Sequence, residues 1–232
     1  MDHTDAPSSG TAEPIVCRPC LKVLRLFADI RPGETAKALL LALNVYLLLL
    51  AYYILKPLRE ALILLDKDSP IVKSELSGVQ AVLFVFVIIF FNRISSRLPR
   101  HRFIRMTTSL FIVCLGVFYI LHAAGMSTKA LGIIFFIWVG IFNYFVVAQF
   151  WGFANDLYSE ADGKRIFPLV ALGATLGAVT GTRMKWLRDA MGDNWEFKLM
   201  LFAAIILCIC IFLTMYIHRR EMKRTVLKGG TA

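Results

Sequence analysis

Apolar residues follow one another along most of this chain without the polar alternation of a half-buried strand or the narrow stripe of a surface helix. Six such runs stand out, at about residues 36–55 (or on to 65), 78–91, 106–124, 131–153, 167–182 and 197–217. Crossing ~30 Å of hydrocarbon takes about 20 residues of helix. The second and fifth runs are short by that measure, so flanking residues such as Leu76 and Ile166 must lengthen them. The pattern predicts an all-α, polytopic membrane fold with six transmembrane helices in a bundle over residues 35–217. Residues 1–20 are polar and carry Pro7, Pro14 and Pro19, which reads as a disordered cytoplasmic tail with no cleavable leader. Over residues 21–34, Val23, Leu26, Phe27 and Ile30 share one helical face while Lys22, Arg25 and Asp29 take the other, and Pro32-Gly33 follows. That is an amphipathic interfacial helix and a turn. Residues 218–232 form a basic tail.

Composition strengthens the membrane reading, because 58% hydrophobic residues cannot all be hidden inside a soluble domain of 232 residues. The net charge of +10 is distributed as an orientation signal. With the N-terminus inside, cytoplasmic segments hold 17 Lys and Arg and the opposite side nine, the densest group being Arg93, Arg97, Arg100, Arg102 and Arg105. Both termini are therefore expected in the cytoplasm, with the chain integral to a membrane, a bacterial inner membrane by preference. Arg183, Lys185 and Arg188 count the other way and read as an exposed or interfacial stretch. Cations divided among short loops make no nucleic-acid surface. Cys17 and Cys20 have C-x-x-C spacing but no second ligand pair, and no Walker loop is present. Neither a metal, a cofactor nor an enzymatic activity is expected.

Charge interrupts the first run at Lys56-Pro57-Leu58-Arg59-Glu60. Charged groups inside a membrane helix cost a few kcal/mol (about 2.5–3.5 on insertion scales) and usually face a partner, a water-filled cavity or a substrate. Two readings of the cluster stand. It lines an anion pathway, or the helix reaches the far interface near Leu55 and the cations snorkel among headgroups. In the fourth run, Asn143 and Gln149 are amides at membrane depth that need partners, and Asn155 and Asp156 close the run. The interleaved aromatic rings serve either as packing and interfacial belt or as stacking surfaces for a ligand. Gly173, Gly177 and Gly181 recur every fourth residue along one helical stripe, which suits close helix packing and also occurs at transporter binding sites.

The segment Phe150-Trp151-Gly152-Phe153-Ala154-Asn155-Asp156, followed by Lys164-Arg165 and the glycine-spaced fifth run, resembles the ATP/ADP antiporter (nucleotide transport protein) family, particularly its bacterial relatives within the major facilitator superfamily. Lys56-x-x-Arg59-Glu60 is similar to that family's basic-x-x-basic-acidic motif, with the identities of the cations exchanged. Arg31-Pro32-Gly33-Glu34 also looks familial. No charged residue lies between Leu131 and Ala154, where the family's nucleotide exchangers carry an acidic one. The resemblance implies one six-helix half of a major facilitator fold, acting with a second half or a second copy. It implies alternating-access transport of a small anionic solute, a nucleotide or other organic phosphate. On that reading Lys56 and Arg59 neutralise the anion and Glu60 holds or releases them. Asn143, Gln149 and Asn155 give polar contacts, and Asp156, Lys164 and Arg165 join the substrate-binding set, while Arg93–Arg105 and Lys164-Arg165 form the cytoplasmic gate or satisfy lipid headgroups. The competing class is a membrane structural or assembly subunit without transport, or a truncated transporter fragment.

Overall fold

A computed structural model describes residues 34–63, 69–192 and 195–229. The expected N-terminal tail, the interfacial helix and the Cys17/Cys20 pair lie outside the described residues. Among the described residues seven helices follow in order: α1 (Thr35–Ile63), α2 (Ser69–Ser95), α3 (Arg100–Ala123), α4 (Thr128–Leu157), α5 (Glu160–Thr182), α6 (Lys185–Met191) and α7 (Trp195–Gly229). All but the seven-residue α6 are long and apolar enough to cross a membrane. The fold class is all-α. The loop basic stretch becomes α6, which packs on α7.

The short second and fifth runs are lengthened into full spans by polar flanks that continue the helix, giving 27 residues in α2 and 23 in α5. Ser159 starts α5 by accepting a hydrogen bond from the Asp162 backbone N–H at 3.3 Å, with Glu160 and Asp162 at the positive end of the helix dipole. The first run does not stop near Leu55. α1 carries Pro57 inside it and continues for 29 residues, about 44 Å at 1.5 Å per residue. Pro57 is exposed, so its missing N–H and displaced backbone lie on the open side of the helix.

α1 is the hub, packing along α5, α7 and α4, while α3 packs on α7 and α4. α2 leans mainly on α4, and most of its large apolar side chains, Val82, Phe86 and Phe90 among them, remain exposed for lipid. The α1–α5 contact is made by the glycine stripe. A Cβ added at Gly173 would stand 2.5 Å from the Ala42 carbonyl oxygen, one at Gly181 2.7 Å from Tyr53 Cβ, and one at Gly177 would collide with the Tyr46 carbonyl oxygen. Backbones meet because nothing stands between them, and van der Waals contact is what holds helices together once lipid has removed the hydrophobic drive. Gly132 does the same service against the Leu62 carbonyl, 2.9 Å from where its Cβ would be, and brings α4 onto α1.

Two apolar cores result. One joins Leu50–Leu62 of α1 to Phe111, Leu115 and Phe118 of α3, Phe135–Val146 of α4 and Phe197–Cys210 of α7. Trp138 lies in its aromatic centre, stacked on Phe142 at 5.5 Å and edge-on to Phe111 and Phe118. The other core, at the opposite end, joins Ala38–Val45, Phe150–Ala154 and Ile166–Val170.

Candidate functional site

Because α1 is continuous, Lys37 and Arg59 lie 22 residues apart on one helix, about 33 Å along its axis. The residues expected from sequence therefore separate into two groups, one at each end of the bundle.

At the α1 C-terminal end, Glu60 lies between Arg59, at 2.8 Å, and Lys73 of α2. The guanidinium of Arg59 also sits over the Phe136 ring of α4 at 4.4 Å, and its side chain is only 17% exposed. Its Nε is buried and bonded to nothing. Lys56 is exposed, with its ammonium 5.5 Å from the Tyr53 ring. Two cations, Arg59 and Lys73, thus share one carboxylate, and with Lys56 close by, the described residues of the cluster carry more positive than negative charge. Lys73 and Phe136 went unnoticed in the sequence, although Glu60 and Lys73 are opposite charges near the facing ends of α1 and α2.

The other end carries a network of ion pairs that joins the start of α1 to the α4–α5 junction and to α7. Lys37 donates to the Leu157 carbonyl at 2.6 Å, pairs with Glu221 at 3.2 Å and lies over the Tyr158 ring. Arg165 pairs with Asp162 and, at 3.5 Å, with Glu34. Asp156 pairs with Arg100 at 2.7 Å, and Gly152 leaves the room that the Arg100 guanidinium fills. Lys164 is exposed and pairs only along its own helix, with Glu160 at 2.9 Å, while Asn155 is exposed. Burial, and then the nearby carboxylates of Glu221, Glu34 and Asp162, push the Tyr158 phenol above its ordinary range, so it stays neutral.

Between the two ends lie the amides. Asn143 is half-buried on α4. Gln149 is buried, 8% exposed, and its Nε2 donates to nothing. It borders a cavity of about 210 Å³ enclosed by α1, α3, α4 and α7. Asn44, the other buried amide there, is satisfied: its Nδ2 donates to the Cys210 carbonyl at 3.2 Å and to Thr214 Oγ1 at 3.1 Å, tying α1 to α7. His101 and His218 lie at the basic end of the cavity with ring centroids 4.3 Å apart, beside Arg105 and Arg219. Of these, Gln149 and, in the basic cluster, Arg105 were expected from sequence, whereas Asn44, His101, His218 and Arg219 were not singled out as part of a site. Asn44 had a signal, since it is the one amide in the apolar part of the first run. The aromatics of the fourth run are mainly packing: Phe145, Phe150 and Phe153 are buried, and Trp151 lies edge-on between Phe150 and Phe167.

Six apolar spans joined through glycine seams, with buried amides inside and charge clustered at both ends, define a polytopic helical membrane protein. Residues 126–231 match the TLC ATP/ADP transporter family. Over 232 aligned residues the chain is 25% identical to ADP,ATP carrier protein 1 of Chlamydia muridarum (strain MoPn / Nigg), covering 83% of this chain and 43% of the relative. It is 24% identical over 222 residues to the chloroplastic ADP,ATP carrier protein 2 of Arabidopsis thaliana, covering 77% of this chain and 35% of that one. On these matches the chain is similar to the ATP/ADP transporter family, the family model covering its C-terminal 126–231 segment. It spans less than half the length of the curated relatives it matches. No solved structure matches it.

Proposed function

We propose that the chain forms one six-helix unit of a carrier for an anionic organic phosphate, with nucleotides as the class that the names of its relatives point to. The observation that carries this reading is the excess of positive charge among the described residues at Lys56, Arg59 and Lys73, against the carboxylate of Glu60. Arg59 is held on Phe136 and by Glu60, so a phosphate oxygen would meet a preoriented donor, and Lys56 would add charge from the open side. Glu60 would exchange Arg59 and Lys73 for each other as the anion enters and leaves. A second six-helix unit, in the same chain, a partner or a second copy, would complete the pathway and allow alternating access. Asn143, Asn155, Asp156, Lys164 and Arg165 belong in this reading to the pathway wall and the gate at the other end. Both termini face the cytoplasm in it, by the distribution of Lys and Arg.

The test is exchange of labelled ADP, ATP and other organic phosphates in liposomes holding the complete assembly. Arg59→Gln should abolish exchange without loss of insertion, and Arg59→Lys should retain part of it, since charge survives and the planar fork does not. Transport indifferent to Arg59→Gln for every phosphate tried would return the cluster to snorkelling. Orientation is checked separately: a cysteine placed at Ser127 should react with an external reagent and one at Arg100 should not.

A further inference from the structure

The cavity between α1, α3, α4 and α7 gathers cations at one end. No carboxylate lines it, whereas Arg105 and Arg219 reach its basic end, and neither has an acidic partner among the described residues. The stacked imidazoles of His101 and His218 bridge α3 and α7 at the same end. α3 begins there with Pro99 as its N-cap, which offers no side-chain cap, so the positive end of the helix dipole adds to the cations. Gln149, eight residues or about 12 Å along α4 from its C-terminal Leu157, also borders the cavity with its buried, unpaired amide donor. Ile104, Val146, Phe150, Phe153, Ile211 and Met215 supply the apolar part of its lining.

A buried donor without an acceptor costs its full desolvation, so a site that keeps one has an occupant suited to it or a destabilising vacancy. Asn44 shows that this fold satisfies an amide fully where structure alone requires it. We infer that this cavity is a binding site for an organic phosphate, distinct from the Lys56/Arg59 cluster. The phosphoryl group sits among Arg105, Arg219 and the two imidazoles, the apolar or planar body lies against Phe150 and Phe153, and an acceptor atom of the body takes the Gln149 hydrogen bond. A nucleotide from solution and an anionic phospholipid from the cytoplasmic leaflet share this chemistry: phosphate at one end, a largely apolar body, an acceptor atom further along.

The full chain carrying Lys56→Gln and Arg59→Gln, which removes the other candidate anion site, is placed in phosphatidylcholine nanodiscs and titrated with ADP. In parallel, the same protein is extracted from nanodiscs containing phosphatidylglycerol and its retained lipid is weighed by native mass spectrometry. Saturable ADP binding, or retained phosphatidylglycerol, supports the site and tells which source fills it. Adding Arg105→Gln and Arg219→Gln together should weaken that binding roughly ten- to a hundredfold, and Gln149→Leu about three- to tenfold. Failure to hold either ligand, or binding unchanged in these variants, overturns the inference and leaves the cavity to water. Ligand-free thermal midpoints give a second reading. Gln149→Leu should raise the midpoint, because a buried orphan amide is replaced by an apolar group of similar size. A lowered midpoint would mean that the amide has a structural partner, which also overturns the inference. Because the background lacks Lys56 and Arg59, the transport reading stands or falls independently of this result.

Discussion

The α1–α5 seam and the α1–α3–α4–α7 cavity are the two ways this bundle joins helices, and they differ in what fills the gap. Along the seam nothing does: Gly173, Gly177 and Gly181 put backbone against backbone, and one carbon atom more would have nowhere to go. Around the cavity the helices are held apart by large side chains, and polar groups face one another across a space of about 210 Å³. Rigidity and room are thus separated between two faces of the same helix. A single hub can hold the unit together through one neighbour while leaving chemistry to the others.

The sharpest way to break the comparison is Gly177→Leu, which should cost about 3 kcal/mol or more and collapse the folded yield, since a backbone carbonyl cannot move aside as a side-chain tip can. Thermal unfolding in detergent measures it. A wild-type midpoint would mean that the seam is looser than its geometry. Next comes Asn44→Leu, which should destabilise by about 1–2 kcal/mol, because the amide's two hydrogen bonds to α7 disappear and Thr214 loses its donor. Set beside Gln149→Leu, this gives the same chemical change with opposite signs, the difference lying only in whether the amide is partnered. Smaller still is Gly116→Ala, where a Cβ meets nothing within 4 Å. It should be neutral or stabilise by up to about 1 kcal/mol through helix propensity. Destabilisation there would show a tight contact that the described residues do not contain. The smallest effect belongs to Lys164→Ala: an exposed i,i+4 pair with Glu160 should matter by no more than about 0.5 kcal/mol of unfolding free energy. A larger loss of stability would give this pair a structural weight that its exposure argues against.

Much of this architecture could be read from the chain. The six spans follow from apolar length, and the seam follows from glycine periodicity, because spacing of four on a helix is a local property that tertiary structure only fills in. The ends of the spans were harder. Lys56-Pro57-Leu58-Arg59-Glu60 looks like the end of an apolar segment, yet Leu58, Leu62 and Ile63 are buried, and that burial carries the helix past the proline. The site was legible only in part. Asn44 and Gln149 are both amides in apolar runs, and no local rule says that one finds Cys210 and Thr214 while the other finds nothing. Those partners come from α7, and the meeting of His101 with His218 likewise depends on how α3 and α7 lie together. Lys56, Arg59, Lys164 and Arg165 are similar in chemistry, but α1 is one unbroken rod, and its length puts them on opposite ends.

The position of α1 as hub has a consequence for synthesis. Asn44 and the Cys210 carbonyl it binds are 166 residues apart. At a translation rate of about 5–20 residues per second, that separation corresponds to roughly ten to thirty seconds between the two appearing. During that interval the first span stands in the bilayer with its amide and its bare glycine-facing groove uncovered, and α2, the next to arrive, packs chiefly on α4. Assembly of this bundle is therefore a matter of waiting: α1 is made before α5 and α7, and its contacts are completed only when they arrive.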